Sequence, residues 1–150
     1  MNLMISKTEA GEIISRARFR SGISWSEIAG KIGKPVVWTT AALLGQHPMR
    51  EEDARKVGEM LKLDDGVVEA LQVQPYRGAS DSLIPTDPTI YRFYEALRVY
   101  GPALKELIHE EFGDGIMSAI NFTVDVRRRP DPGGDRVVVT LDGKFLEYQW

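Results

Sequence analysis

The chain has 150 residues, 43% apolar and 27% charged, with a net charge of −3. That size and balance describe a soluble globular protein of one medium or two small domains and exclude disordered and fibrous classes. With no cysteine and only two histidines, His47 and His109, far apart in sequence, a disulfide framework, a cysteine nucleophile and a His/Cys metal site drop out.

At the amino terminus, Lys7, Glu9 and Glu12 interrupt the chain before the apolar core of a signal peptide can form. No later run reaches the ~18 apolar residues of a membrane span, so a cytoplasmic protein is expected.

In chain order, Ser6 with Glu9 and Ser24 with Glu27 each match a capping box, in which a hydroxyl and a carboxylate satisfy free amides at a helix start. Ile13, Ile14 and Ala17 mark a buried stripe on the first helix, and Ile28, Ala29 and Ile32 one on the second. Gly33 ends the second helix, and Lys34-Pro35 opens a third with proline in its first turn. Two helices joined by a tight glycine turn make a helix-turn-helix. A fourth helix fits Glu51 to Leu63, and a short fifth follows Asp64 with Val67, Val68 and Leu71. The stretch from Gln72 to Pro85, with Pro75 and Gly78, reads as a linker.

Beyond it, Asp87-Pro88 caps a helix in which Ile90, Phe93, Leu97 and Tyr100 recur at helical spacing. Gly101-Pro102 is expected to end that helix and start another, which carries Leu104, Leu107 and Ile108 and stops at Gly113. From Ala119 the period becomes two: Ile120, Phe122, Val124 and Val126 alternate with Asn121, Thr123, Asp125 and Arg127, which predicts a strand with one buried face. Asp131 to Asp135 is a turn, Val137 to Leu141 a second strand, and Asp142-Gly143 a further turn. Two strands, or three with the tail, leave an apolar face and edges uncovered, so strands from another subunit are expected to complete the sheet.

The predicted fold is therefore α+β, with a helical bundle over 1–76 that resembles a helix-turn-helix DNA-binding domain. A small helix-plus-strand domain over 77–150 is expected to dimerise through an intersubunit sheet. Up to Ser80 there are 11 basic and 10 acidic residues, and beyond it 8 and 12. A nearly neutral bundle has little of the counterion release that holds proteins on a duplex, and its third helix has only Lys34 at its entry. Charge thus favours packing or assembly over nucleic-acid binding.

Arg92 and Glu95 stand three apart on one helix face, which by spacing alone is an ordinary surface ion pair. Ser118, after the flexible Gly113-Asp114-Gly115, can serve a ligand or simply cap its own backbone. Asn121 is a weaker ligand candidate, because its place in the alternation also fits solvent. Arg127-Arg128-Arg129 reads as a solvated strand end, and His109 as a surface residue.

Taken together, several blocks resemble the cyanase family, also called cyanate hydratase or cyanate lyase. They are Ala41-Ala42-Leu43-Leu44-Gly45-Gln46, Arg77-Gly78, Ile84-Pro85-Thr86-Asp87-Pro88-Thr89, Tyr91-Arg92-Phe93-Tyr94-Glu95, Val99-Tyr100-Gly101, Phe112-Gly113-Asp114-Gly115-Ile116, Ser118-Ala119-Ile120-Asn121-Phe122 and Leu141-Asp142-Gly143-Lys144. The resemblance implies bicarbonate-dependent decomposition of cyanate to ammonia and carbon dioxide through carbamate, with bicarbonate as co-substrate and no metal or organic cofactor. It carries the family's catalytic arginine, glutamate and serine onto Arg92, Glu95 and Ser118. It also implies a decamer of five intertwined dimers with sites shared between subunits, acting on small anions and not on nucleic acid or membrane. Ala79 departs from relatives that carry cysteine there, and the ending Glu147-Tyr148-Gln149-Trp150 has no counterpart in the pattern.

Overall fold

The computed structural model describes residues 4–75 and 85–149. Arg77-Gly78, Ala79, Ile84, Trp150 and most of the expected linker lie outside them. The chain divides into two compact units, Met1–Ala79 and Ser80–Trp150.

The first unit holds α1 (Lys7–Ser21), α2 (Trp25–Ile32), α3 (Val36–Leu43), α4 (Glu51–Leu61) and α5 (Asp65–Gln72). Both expected capping boxes form: Ser6 Oγ accepts from the Glu9 amide at 3.1 Å and Ser24 Oγ from the Glu27 amide at 3.0 Å, while each glutamate accepts from the serine's own amide. Gly22 and Gly33 end α1 and α2 in the left-handed conformation open to glycine. Helix α3 starts one residue later than expected, with Pro35 as its N-cap, and α4 stops two residues early because Lys62 takes φ 53°.

Ala10, Ile14, Ile28, Ile32, Ala42, Leu43, Ala54, Val57, Val67 and Leu71 form the core. On α1 the buried stripe runs through Ala10, Ile14 and Ala17, and Ile13 lies off it, 37% exposed against 0% for Ile14. A step of four residues turns a helix back to the same face, whereas a step of one turns it by about 100°. Lys7 on α1 reaches the free end of α5, its Nζ donating to the carbonyls of Ala70 at 2.9 Å and Leu71 at 3.2 Å; burial draws this ammonium below the usual lysine range. At the entry of α3, the Lys34 ammonium lies 5.2 Å from the centre of the Trp38 ring, which stacks on His47.

The second unit is α6 (Pro88–Phe112) followed by β1 (Gly115–Arg129) and β2 (Arg136–Glu147), an antiparallel pair. The two helices expected around Gly101-Pro102 are one helix of 25 residues with Pro102 inside. Proline removes the amide that would bond the Arg98 carbonyl, and its ring normally clashes with the β-carbon of the preceding residue. Gly101 has no β-carbon, so that clash is absent, and the helix continues through Pro102 with the Arg98 carbonyl left without its usual amide.

The strands also run longer than expected. β1 begins at Gly115 instead of Ala119, and β2 absorbs Asp142-Gly143, which is not a turn, and runs on through Glu147. Between the pairs Met117↔Phe145 and Phe122↔Gly143, four residues of β1 face Lys144 alone. This bulge breaks the alternation, and Ile120, expected on the buried face, is 97% exposed. Past the bulge, Phe122, Val124 and Val126 share a face with Leu141 and Val139. Among the described residues, every buried apolar side chain belongs to the first unit. Helix α6 buries none of its residues within the single chain.

Candidate active site

Asp87 nucleates the helix that carries the first two candidate residues: its carboxylate accepts from the amides of Thr89 at 2.8 Å and Ile90 at 3.0 Å, and Pro88 follows in the first turn. One turn on, an Arg92 guanidinium nitrogen lies 3.3 Å from Glu95 Oε2, with the two side chains 68% and 55% exposed. The contact is a single hydrogen bond, so most of the fork is left for another acceptor. Three residues beyond Glu95, Arg98 donates to the Tyr91 hydroxyl at 3.4 Å.

Ser118 is 5% exposed and sits at the start of the β1 bulge. Its Oγ accepts from the backbone amides of Ile120 and Asn121, each at 3.0 Å. The serine does cap its own backbone, and that arrangement has a chemical consequence. A hydroxyl has two acceptor positions and one proton; with both acceptor positions filled, the proton is what Ser118 can offer. Its lone pairs are engaged, which disfavours nucleophilic attack and favours donation to an anion. Asn121 is exposed, and its backbone amide takes part by holding Ser118.

Glycines make the bulge possible. A β-carbon on Gly143 would run into the Ser118 carbonyl oxygen and the Met117 side chain, and one on Gly115 into the Leu146 carbonyl oxygen and the Phe145 ring. Phe145 in turn stacks on Phe112 at the end of α6, with ring centres 5.1 Å apart.

Within one chain Arg92 and Glu95 are paired, and Ser118 is bonded to neither. Arg92 lies 20 residues before Phe112 on a continuous helix, about 30 Å along its axis, and the six residues from Phe112 to Ser118 span at most about 20 Å. Among the described residues, no hydrogen bond or ion pair joins Ser118 to Arg92 or Glu95. Nor do any described residues form a group of three or more His, Cys, Asp or Glu able to hold a metal ion, and no described helix is long and apolar enough to cross a membrane.

Two family models match the chain, one described as cyanate hydratase, N-terminal, over residues 7–75 and one as cyanate lyase C-terminal domain over residues 82–150. A protein named cyanate hydratase from Mycolicibacterium vanbaalenii is 58% identical over 97% of this chain and 95% of its own length. The chain belongs to the cyanate hydratase family. Another cyanate hydratase, from Methylibium petroleiphilum, is 52% identical over 97% of this chain and 99% of that one. The crystal structure of a cyanase from T. urticae superposes with a TM-score of 0.80 at 36% identity, covering 91% of this chain and 96% of the other. This places the α+β architecture described above within the cyanate hydratase fold.

Sequence reasoning missed Gly143, whose value lies in a cross-strand neighbour invisible in a single stretch of chain.

Proposed function

We propose that this protein decomposes cyanate with bicarbonate to ammonia and carbon dioxide, detoxifying cyanate and releasing its nitrogen. The reading is supported by family membership over nearly the whole chain, and by the presence of Arg92, Glu95 and a Ser118 poised to donate.

Cyanate and bicarbonate are both monoanions, and holding them 4 Å apart costs about 4 kcal/mol at an effective dielectric of 20. A guanidinium suits this task, since it stays charged and presents a planar fork that matches carboxylate oxygens. Arg92 is assigned that role. As a bicarbonate oxygen adds to the cyanate carbon, negative charge gathers on the adduct, and the Ser118 proton stabilises it more than it does the separated anions.

The bicarbonate proton and one from solvent end on nitrogen, the C–O bond to the former bicarbonate carbon breaks, and carbon dioxide leaves carbamate behind. Carbamate takes up one more proton and splits into ammonia and a second carbon dioxide. Glu95 orients Arg92 or relays a proton to nitrogen. The scheme uses bicarbonate as co-substrate and calls on no metal or organic cofactor.

The site is proposed to form between copies in a decamer of five dimers, located in the cytoplasm and engaging neither nucleic acid nor membrane. The span between Arg92 and Ser118 in one chain supports a shared site, as does a second unit without buried apolar side chains.

Purified protein given cyanate should release ammonia when bicarbonate is supplied, should stop when it is removed, and should be indifferent to a chelator. No ammonia from cyanate and bicarbonate together would dispose of the reading.

A further inference from the structure

The Arg92–Glu95 pair raises an electrostatic difficulty for a site that must gather anions. A guanidinium bonded to a carboxylate is neutral as a unit, and the carboxylate repels whatever anion approaches the fork. The pair is exposed as well, so solvent weakens the residual attraction further.

Helix α6 supplies a counterweight. Arg98 stands three residues after Glu95, as Arg92 stands three before it, so a second positive charge lies within one turn of the carboxylate, although only Arg92 pairs with it directly. Arg98 is not left to swing freely. Its NH1 donates to the hydroxyl of Tyr91, two turns earlier, at 3.4 Å, which turns the side chain back toward the start of the helix. With Arg98 counted, this stretch of α6 carries a net charge of +1 where Arg92 and Glu95 alone carry none.

We propose that Arg98 is a positioning residue for the anionic substrates: its charge offsets that of Glu95, so that Arg92 meets an incoming anion as an uncompensated cation. Arg98 contributes through the field at Arg92 and through Glu95, without touching the reacting atoms. The inference rests on the lyase reading above, and it concerns substrate capture rather than the bond-making step.

Two variants test it. Arg98→Gln removes the charge and keeps a polar, helix-compatible side chain, while Arg98→Lys keeps the charge. Steady-state ammonia release is measured against each anion at low and at physiological ionic strength. The expected result for Arg98→Gln is a KM raised roughly threefold to tenfold for cyanate and bicarbonate, with kcat within about twofold of the parent, on the scale of losing one partly screened charge near the fork. Its kcat/KM should also fall less steeply with added salt than the parent's, and Arg98→Lys should recover most of the loss. An active parent with unchanged KM and salt dependence in Arg98→Gln overturns the inference and leaves the lyase reading standing. A fall in kcat alone overturns it equally, and an inert parent removes both.

Discussion

Gly143 on β2 lies so close to the carbonyl oxygen of Ser118 on β1 that no β-carbon fits between them. The glycine and the bulge that presents the serine are therefore one structural unit, built from two strands. Gly143→Ala must push the bulge away or the strands apart, at an overpacking cost of about 1–3 kcal/mol. If that cost falls on the presentation of Ser118, ammonia release from cyanate should drop about fivefold to a hundredfold, while the helical circular dichroism of the first unit is kept. Full activity in this variant would separate the bulge from the chemistry.

Arg92→Lys preserves the charge and loses the fork. If bidentate holding of an anion matters, kcat/KM should drop on the order of a hundredfold. A drop of less than about threefold would reduce the role of residue 92 to simple charge.

The span of α6 makes a prediction about mixtures. Arg92→Ala and Ser118→Ala chains should each be inactive alone. Unfolded together and reassembled, they should regain part of the parental activity, because some sites then draw their arginine and their serine from different, intact donors. Persistent inactivity of the mixture, with assembly verified by sedimentation, would argue that each chain builds its own site.

Thr39 offers a test confined to the first unit. It is completely buried on α3, and its hydroxyl has no hydrogen-bond partner. Thr39→Val removes an unsatisfied polar atom at nearly constant volume, so stability should hold or rise by up to about 1–3 kcal/mol. Thermal melting reads the change, and a fall in Tm would show that the hydroxyl is satisfied by something such as a bound water.

The features legible in the sequence are those set by neighbours three or four residues apart. Ser6 with Glu9 and Ser24 with Glu27 sit within one helical turn, and both boxes form as read. The Arg92–Glu95 pair was visible for the same reason. Pro102 misled because the glycine before it removes one of the clashes by which proline disfavours a helix. Ile120 and Gly143 were misread because their environment is decided across strands. The alternation that placed Ile120 inside assumes an unbroken register, and Asp142-Gly143 looks like a hairpin turn until its opposite strand is known. The hydrogen bonds that hold Ser118 in place belong to that bulge too, so its orientation was beyond the reach of a reading along one strand.

Among its described residues, the second unit fully buries no apolar side chain by itself. In the proposed assembly its order comes through mass action: diluting the protein should dissolve this half and its chemistry while the first five helices, which have an interior of their own, stay intact. Half-life of activity would depend on how much protein is in the tube, and melting would proceed in two steps, only the first of which shifts with concentration.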